Sequence, residues 1–278
     1  MLSLDHALIF VHDLDQAADR YRRLGFTLTP RGAHPSLGTA NHTVMLARDY
    51  LELITVLVPG PTNERWGSIL ARGDGFGAVA LGTRDAVATR DQLRHRGVDI
   101  PATVEFARPV ATPGGEAAAR FTVAHLPGEA TPALPAFFCQ HHTPGLVWIP
   151  DYQSHPNTAF VVAGLTVVHP HPAGVGPTYE RLLGRASVHP HPGGLELDLR
   201  GTRLMLVTPR FAAARLGREV TRDADEIRPV GITIGVRSLP TCRAVLTVNG
   251  VPFRPFGRAS VLVEPDHTSG VFLEFLAI

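Results

Sequence analysis

The sequence has no lysine; its 26 basic residues are all arginine. A Schiff-base mechanism and a Walker-type phosphate loop both need a lysine amine, so both are excluded. Cysteine is scarce. Cys139 and Cys242 alone do not make a disulfide framework. The formal net charge is only +1, too small a bias to mark nucleic acid or an anionic membrane as the partner. No basic aromatic platform and no strongly basic amphipathic stretch is present either. No apolar run approaches the roughly 20 residues that cross a bilayer. No basic segment precedes a long apolar stretch at the N-terminus, so a signal peptide is not expected. A cytoplasmic location is expected.

What is present is an ordinary globular composition, 44% hydrophobic over 278 residues. That length allows one large or two mid-sized domains. Two apolar runs each hold one polar residue out of place. The run Leu4–Val11 contains His6, and Tyr50–Leu57 contains Glu52. A polar group inside a buried strand is costly unless a partner satisfies it, and a shared metal or substrate would satisfy both.

Between these runs the pattern predicts a helix over Leu14–Leu24, capped by Asp13 or Asp15 and stopped by Gly25. A short strand is expected at Phe26–Thr29, a polar loop from Pro30 to Asn41, and strands at Thr43–Ala47 and Tyr50–Leu57. The order recurs with a strand at Phe76–Thr83, a helix over Asp85–Arg96 with Val87 and Leu93 inward, and strands at 104–107, 118–125 and 136–140. A linker rich in Pro and His, from His141 to Asn157, closes this half. A fainter third copy spans Phe160 to Val207, and a fourth runs from Val230 to Leu276. The fold class is therefore α+β: four βαβββ units paired into two incomplete eight-stranded barrels. The expected division is an N-terminal barrel over residues 1–145, a linker at 146–158 and a degenerate C-terminal barrel at 159–278.

Several motifs carry a resemblance. They are Leu4-Asp5-His6, Leu24-Gly25-Phe26, His34-Pro35 with Gly38-Thr39-Ala40-Asn41, and Tyr50-Leu51-Glu52-Leu53-Ile54. Phe137-Phe138-Cys139-Gln140 and Val147-Trp148-Ile149-Pro150 leading to His155-Pro156-Asn157 add to them. With these the chain resembles the vicinal oxygen chelate superfamily, in its glyoxalase-like domain branch. The resemblance covers about the first 160 residues. It implies one divalent metal per cleft, held by first and last strands of both units. Carried over, it assigns His6 and Glu52 as metal ligands, with Glu52 also a candidate catalytic base. The second unit offers Gly77 or Ala78 where a ligand is expected, and Gln140 as an oxygen donor on the last strand. His141 or His142 would complete the set if that strand runs on. In the second half Glu274 looks like the counterpart of Glu52, but Leu165, Ile232 and Met205 offer no good partner, so that barrel is expected to be metal-free.

The loop residues His34, Thr39 and Asn41 are candidate ligand-binding groups; their bland reading is a polar turn. The alternating pairs at His169–Pro172 and His189–Pro192 read as solvated connections, because proline removes ladder donors. Cys139 reads as a buried, inert thiol. Trp66 and Trp148 fall in loops or linkers. The implied function is a metal-dependent lyase or isomerase acting on a small oxygenated metabolite in the N-terminal cleft. The alternatives are a metal-free small-molecule binding or resistance protein of the same fold, or an enzyme like the extradiol dioxygenases. A small-molecule ligand is the expected partner. The C-terminal barrel would then prop up the first barrel or mediate a homodimer.

Overall fold

A computed structural model describes residues 2–112, 115–221, 223 and 225–278. Strand β1 (Ser3–Phe10) leads to helix α1 (Leu14–Arg23), then to β2 (Gly32–His34), β3 (Thr39–Met45) and β4 (Tyr50–Val56). Helix α2 (Glu64–Leu70) passes the chain to β5 (Gly75–Gly82), α3 (Ala86–His95), β6 (Val104–Thr112), β7 (Gly115–His125) and β8 (Ala136–His141). These strands form one sheet in the order β2-β3-β4-β1-β5-β8-β7-β6. Within each unit the first and last strands run parallel, and the two first strands meet antiparallel at the centre.

The second half has the same plan. It runs β9 (Ala159–Val168), α4 (Gly176–Leu183), β10 (Val188–His191), β11 (Gly194–Asp198), β12 (Arg203–Val207) and α5 (Pro209–Leu216). Then come β13 (Arg228–Val236), α6 (Leu239–Val248), β14 (Arg254–Phe256), β15 (Ser260–Val263) and β16 (Phe272–Ala277). Its sheet order is β10-β11-β12-β9-β13-β16-β15-β14. No helix among the described residues is long and apolar enough to cross a membrane.

Period-two alternation explains the layering. On β1, Ala7 and Ile9 face the convex side, while His6, Leu8 and Phe10 face the concave side. The convex faces of both sheets share one core. Ala7, Ile9, Leu51 and Leu53 pack in it with Val162, Leu165, Ile232 and Leu273. The Phe26 ring stacks on Phe275 at 5.8 Å. Asp49, fully buried, accepts a hydrogen bond from the Val162 N–H at 2.9 Å. Helix α1 closes over the same core with Leu14, Ala17, Ala18 and Tyr21, and Asp13 caps it by accepting from the Gln16 N–H. Gly25 ends it at φ +86; a Cβ there would stand 2.6 Å from Val245 and 2.9 Å from the Asn157 side chain.

The strands differ from expectation in places that matter. Residues 26–29 form no strand; the second strand is Gly32–His34, inside the stretch expected to be loop. The third strand starts at Thr39, not Thr43. Its polar residues hid it, because Thr39, Asn41 and Thr43 alternate onto a polar cavity wall. Val87 is exposed, and Ala86 with Leu93 forms the buried side of α3. Trp66 sits on a helix, α2, not in a loop. His189 and His191 belong to an edge strand, β10. Within the segment 146–158, His155 is bonded to the first sheet and to the turn after α1. The His155 Nε2–H donates to the Met45 carbonyl at 2.9 Å, and the Thr27 N–H donates to His155 Nδ1 at 3.0 Å.

Candidate functional site

The concave face of the first sheet encloses a cavity of about 200 Å³. Its floor is the meeting of β1, β4 and β3. The His6 Nδ1–H donates to Asp5 at 2.6 Å, and Nε2 lies 3.3 Å from a Glu52 oxygen. The other Glu52 oxygen accepts from the Asn41 amide at 2.6 Å. The His6 ring stacks on Tyr50 with centroids 4.3 Å apart. All four polar residues are buried. His34 Nδ1 and Thr39 Oγ1 share a 2.9 Å hydrogen bond on the β2–β3 hairpin. Thus His6, Glu52, His34, Thr39 and Asn41 all line one cavity.

Burial alone would push the His6 imidazole toward neutrality. Hydrogen bonds and charge from Asp5 and Glu52 override it and raise the pKa to about 9. Burial would raise Glu52, but the bond and charge of His6, then the charge of His34 and the Asn41 amide, bring it down to about 2. Asp5 is opposed by burial in the same way, and bonds from His141 and His6 bring it to about 2. The floor is therefore a charged, hydrogen-bonded chain near neutral pH. His34 is lowered by burial first.

Gln140 is not part of it. Its carboxamide oxygen turns to the other face and accepts from the Ala86 N–H at 2.9 Å, at the start of α3. Its neighbours Cys139 and His141 hold the concave parity; β8 does run on to His141, which meets Asp5 rather than Glu52. His142 is exposed, with its Nε2 2.7 Å from Thr122 Oγ1.

Asp5 was not read from the sequence as a site residue. Adjacent strand residues normally face opposite sides, yet Asp5 and His6 share one. The β1–β5 register slips by a residue between Leu4 and His6, so Asp5 is a bulge. Around the walls stand Tyr50, Trp66, Phe106, Phe121 and Phe137, with Arg108 and His125. Arg108, Phe106 and Phe121 come from the β6–β7 hairpin, remote from the other site residues in sequence.

Register locates the four central positions. Ala7 lies opposite Val79 on the local two-fold axis between β1 and β5. Ala7 pairs with Leu51 on β4, and Val79 with Ala136 on β8. Ala78 therefore stands where His6 stands in the first unit, and Phe137 where Glu52 stands. A divalent ion there would find two protein donors, His6 and Glu52, facing a methyl and a phenyl ring. Such ions ordinarily take three or more protein ligands. These four positions do not fit a metal held at the His6–Glu52 pair. In the second sheet Leu165 and Ile232 take the axis, so the four positions are Gly164, Met205, Gly231 and Glu274. Glu274 is the equivalent of a Glu52-type position, and neither first strand supplies a ligand.

Comparison with known proteins agrees with this architecture. A protein from Staphylococcus aureus titled as hypothetical superposes with a TM-score of 0.70 at 13% identity, each chain covered in full. A triple mutant of 4-hydroxymandelate synthase from Streptomyces coelicolor superposes with a TM-score of 0.59 at 13% identity, over 100% of this chain and 93% of that one. At such identity the likeness shows the fold alone. No curated protein matches in sequence. The family model described as a glyoxalase-like domain matches residues 4–183. The chain belongs to the glyoxalase-like domain family.

Proposed function

We propose that the N-terminal cleft binds a small, flat, oxygenated molecule, with no metal held between His6 and Glu52. The observation that carries this reading is the apolar half of the central set, Ala78 and Phe137, in a cavity walled by aromatic rings. Tyr50, Trp66, Phe106, Phe121 and Phe137 offer faces and edges for a planar ligand. Glu52 accepts a hydrogen bond from a ligand hydroxyl. Arg108 supplies the fork of donors that suits a carboxylate or carbonyl oxygen. His125 Nδ1 is buried without a protein partner, a cost that a ligand donor or acceptor would relieve. Such a cleft of few polar groups among many apolar ones is the usual form of a small-molecule site.

Of the functions expected from sequence, this is the small-molecule binding protein, with no metal on the His6–Glu52 pair, rather than the lyase or isomerase. Proton abstraction beside a carbonyl needs a base whose pKa lies near the working pH. Glu52, held near about 2 by its partners, is a weak one.

The test is a screen of hydroxylated aromatic acids against the full chain, read by melting temperature and tryptophan fluorescence. Binders should raise the melting temperature by mass action. Glu52→Gln and Arg108→Ala should each weaken them by roughly tenfold or more, about 1.4 kcal/mol. Metal-stimulated turnover that disappears in both His6→Ala and Glu52→Ala would overturn the reading. Ligand affinity indifferent to Glu52 and Arg108 would overturn it too.

A further inference from the structure

Asp5 faces two ways. One of its oxygens accepts from His6, and both lie 3.1 Å from His141 Nε2. Cys139 Sγ stands 3.5 Å from the same nitrogen. The donor atoms of Asp5, Cys139 and His141 all lie within 4.8 Å of one another. Nothing in the cleft chemistry above uses Cys139 or His141.

From this convergence the geometry points to a binding site for one thiophilic divalent cation, of the zinc class, held by Asp5, Cys139 and His141 beside the ligand cleft. Three features of the chain build it. Alternation along β8 sends Cys139 and His141 to one face two residues apart. The bulge in β1 sends Asp5 to meet them. The ring of His141 is then walled by Trp148 at 4.9 Å and Phe121 at 5.0 Å, centroid to centroid, which excludes water from one side.

Two of the three donor separations suit the ion. Zinc binds oxygen, nitrogen and sulfur at roughly 2.0, 2.0 and 2.3 Å, so tetrahedral donors sit about 3.3–3.6 Å apart. The two separations involving His141 Nε2 are 3.1 and 3.5 Å. The charges also match, because one carboxylate and one thiolate neutralise a divalent ion. On binding, the Cys139 S–H bond breaks, its proton leaves to solvent, and a sulfur–metal bond forms. His141 moves its ring proton from Nε2 to Nδ1, an atom that is buried and has no partner at present. A thiolate donor favours zinc over calcium or magnesium, which prefer oxygen. The site is distinct from the His6–Glu52 pair, which touches it only through Asp5. Cys139 also lines the cleft, so a cation held there borders the ligand.

Cobalt titration of the chelator-treated full chain tests this. Cobalt replaces zinc in tetrahedral sites, and a cysteine ligand gives it a near-ultraviolet thiolate-to-metal charge-transfer band. The expected result is that band at one cobalt per chain, removed by added zinc. Cys139→Ser should abolish it, and His141→Ala and Asp5→Asn should weaken binding by roughly tenfold or more. Cys242→Ser and Glu52→Gln should leave it intact. Absence of the band in the parent overturns the proposal, with no variant needed. A band that survives Cys139→Ser overturns it as well. Cobalt binding lost in Glu52→Gln but retained in Cys139→Ser would place the ion at the other pair and overturn it equally.

Discussion

The two concave faces share one topology and differ at the same four positions. In the first sheet these hold His6, Glu52, Ala78 and Phe137; in the second, Gly164, Met205, Gly231 and Glu274. The first cavity is about 200 Å³ and the second about 540 Å³. Two glycines on the central strands of the second sheet remove side chains from the middle of its floor. Its Glu274 accepts from Thr233 at 2.9 Å and faces the half-exposed Arg215 at 3.5 Å. Glu52, by contrast, is paired with His6 and Asn41 in a buried floor. The lesson is that this fold does not specify a site. The same backbone position carries a carboxylate paired with buried groups in one half and a carboxylate paired with an exposed arginine in the other.

The sharpest way to break this contrast is stability. Glu52→Ala should cost about 3 kcal/mol in urea unfolding, since it leaves the Asn41 amide without its acceptor and the buried His6 charge with Asp5 as its remaining partner. Glu274→Ala should cost about 1 kcal/mol or less, because Arg215 stays solvated. Equal losses would show that the two carboxylates are alike after all. The pH dependence comes next. His6 is raised to about 9 in the folded chain, so its stabilisation is complete below its unfolded pKa, roughly 6.5, and is lost as the pH rises through 9. Glu52, lowered to about 2, contributes above roughly pH 4.5 and loses that contribution on acidification. The melting temperature should therefore fall by several degrees between pH 6.5 and 9, and His6→Gln should flatten that slope. A parent curve with no such fall would refute the charged pair.

Fluorescence separates the cavities with a smaller signal. Trp66 lines the first cavity and Trp148 packs on Tyr50 behind it, at 5.7 Å. A ligand seated in the first cavity should change the emission, and one confined to the second should leave it unchanged and respond to Arg215→Ala instead. The smallest expected effect lies between the sheets. The Tyr21 hydroxyl donates to the Thr268 carbonyl at 3.2 Å, so Tyr21→Phe should cost about 1 kcal/mol. A loss several times larger would mean that the contact organises more than its own bond.

Much of the fold was legible in the chain, because strands buried on both faces read as near-continuous apolar runs and a helix cap such as Asp13 stands out. His6 and Glu52 were legible for the complementary reason, as polar residues in such runs. The strands that line the cavity with polar groups, β2 and the start of β3, were read as loop, since hydrophobicity does not mark strands whose inward residues are polar. Gln140 lies three residues beyond Phe137, the register counterpart of Glu52, and an odd offset along a strand puts it on the other face. Asp5 was hidden by a bulge, which leaves no mark in composition. Arg108, Phe106 and Phe121 sit on the β6–β7 hairpin, which reaches the first unit by packing β6 against β2, and no local pattern encodes that approach.

The shared core between the convex faces has a consequence for how the chain is handled. Cutting at the segment before Ala159 would strip Val162, Leu165, Ile232 and Leu273 from Ala7, Ile9, Leu51 and Leu53, and expose an apolar sheet face to water. Neither half is then a stand-alone module. The family match, which stops at residue 183, marks where sequence likeness ends and not where a soluble fragment can be made. The protein is better pictured as two shallow bowls glued back to back, each opening outward.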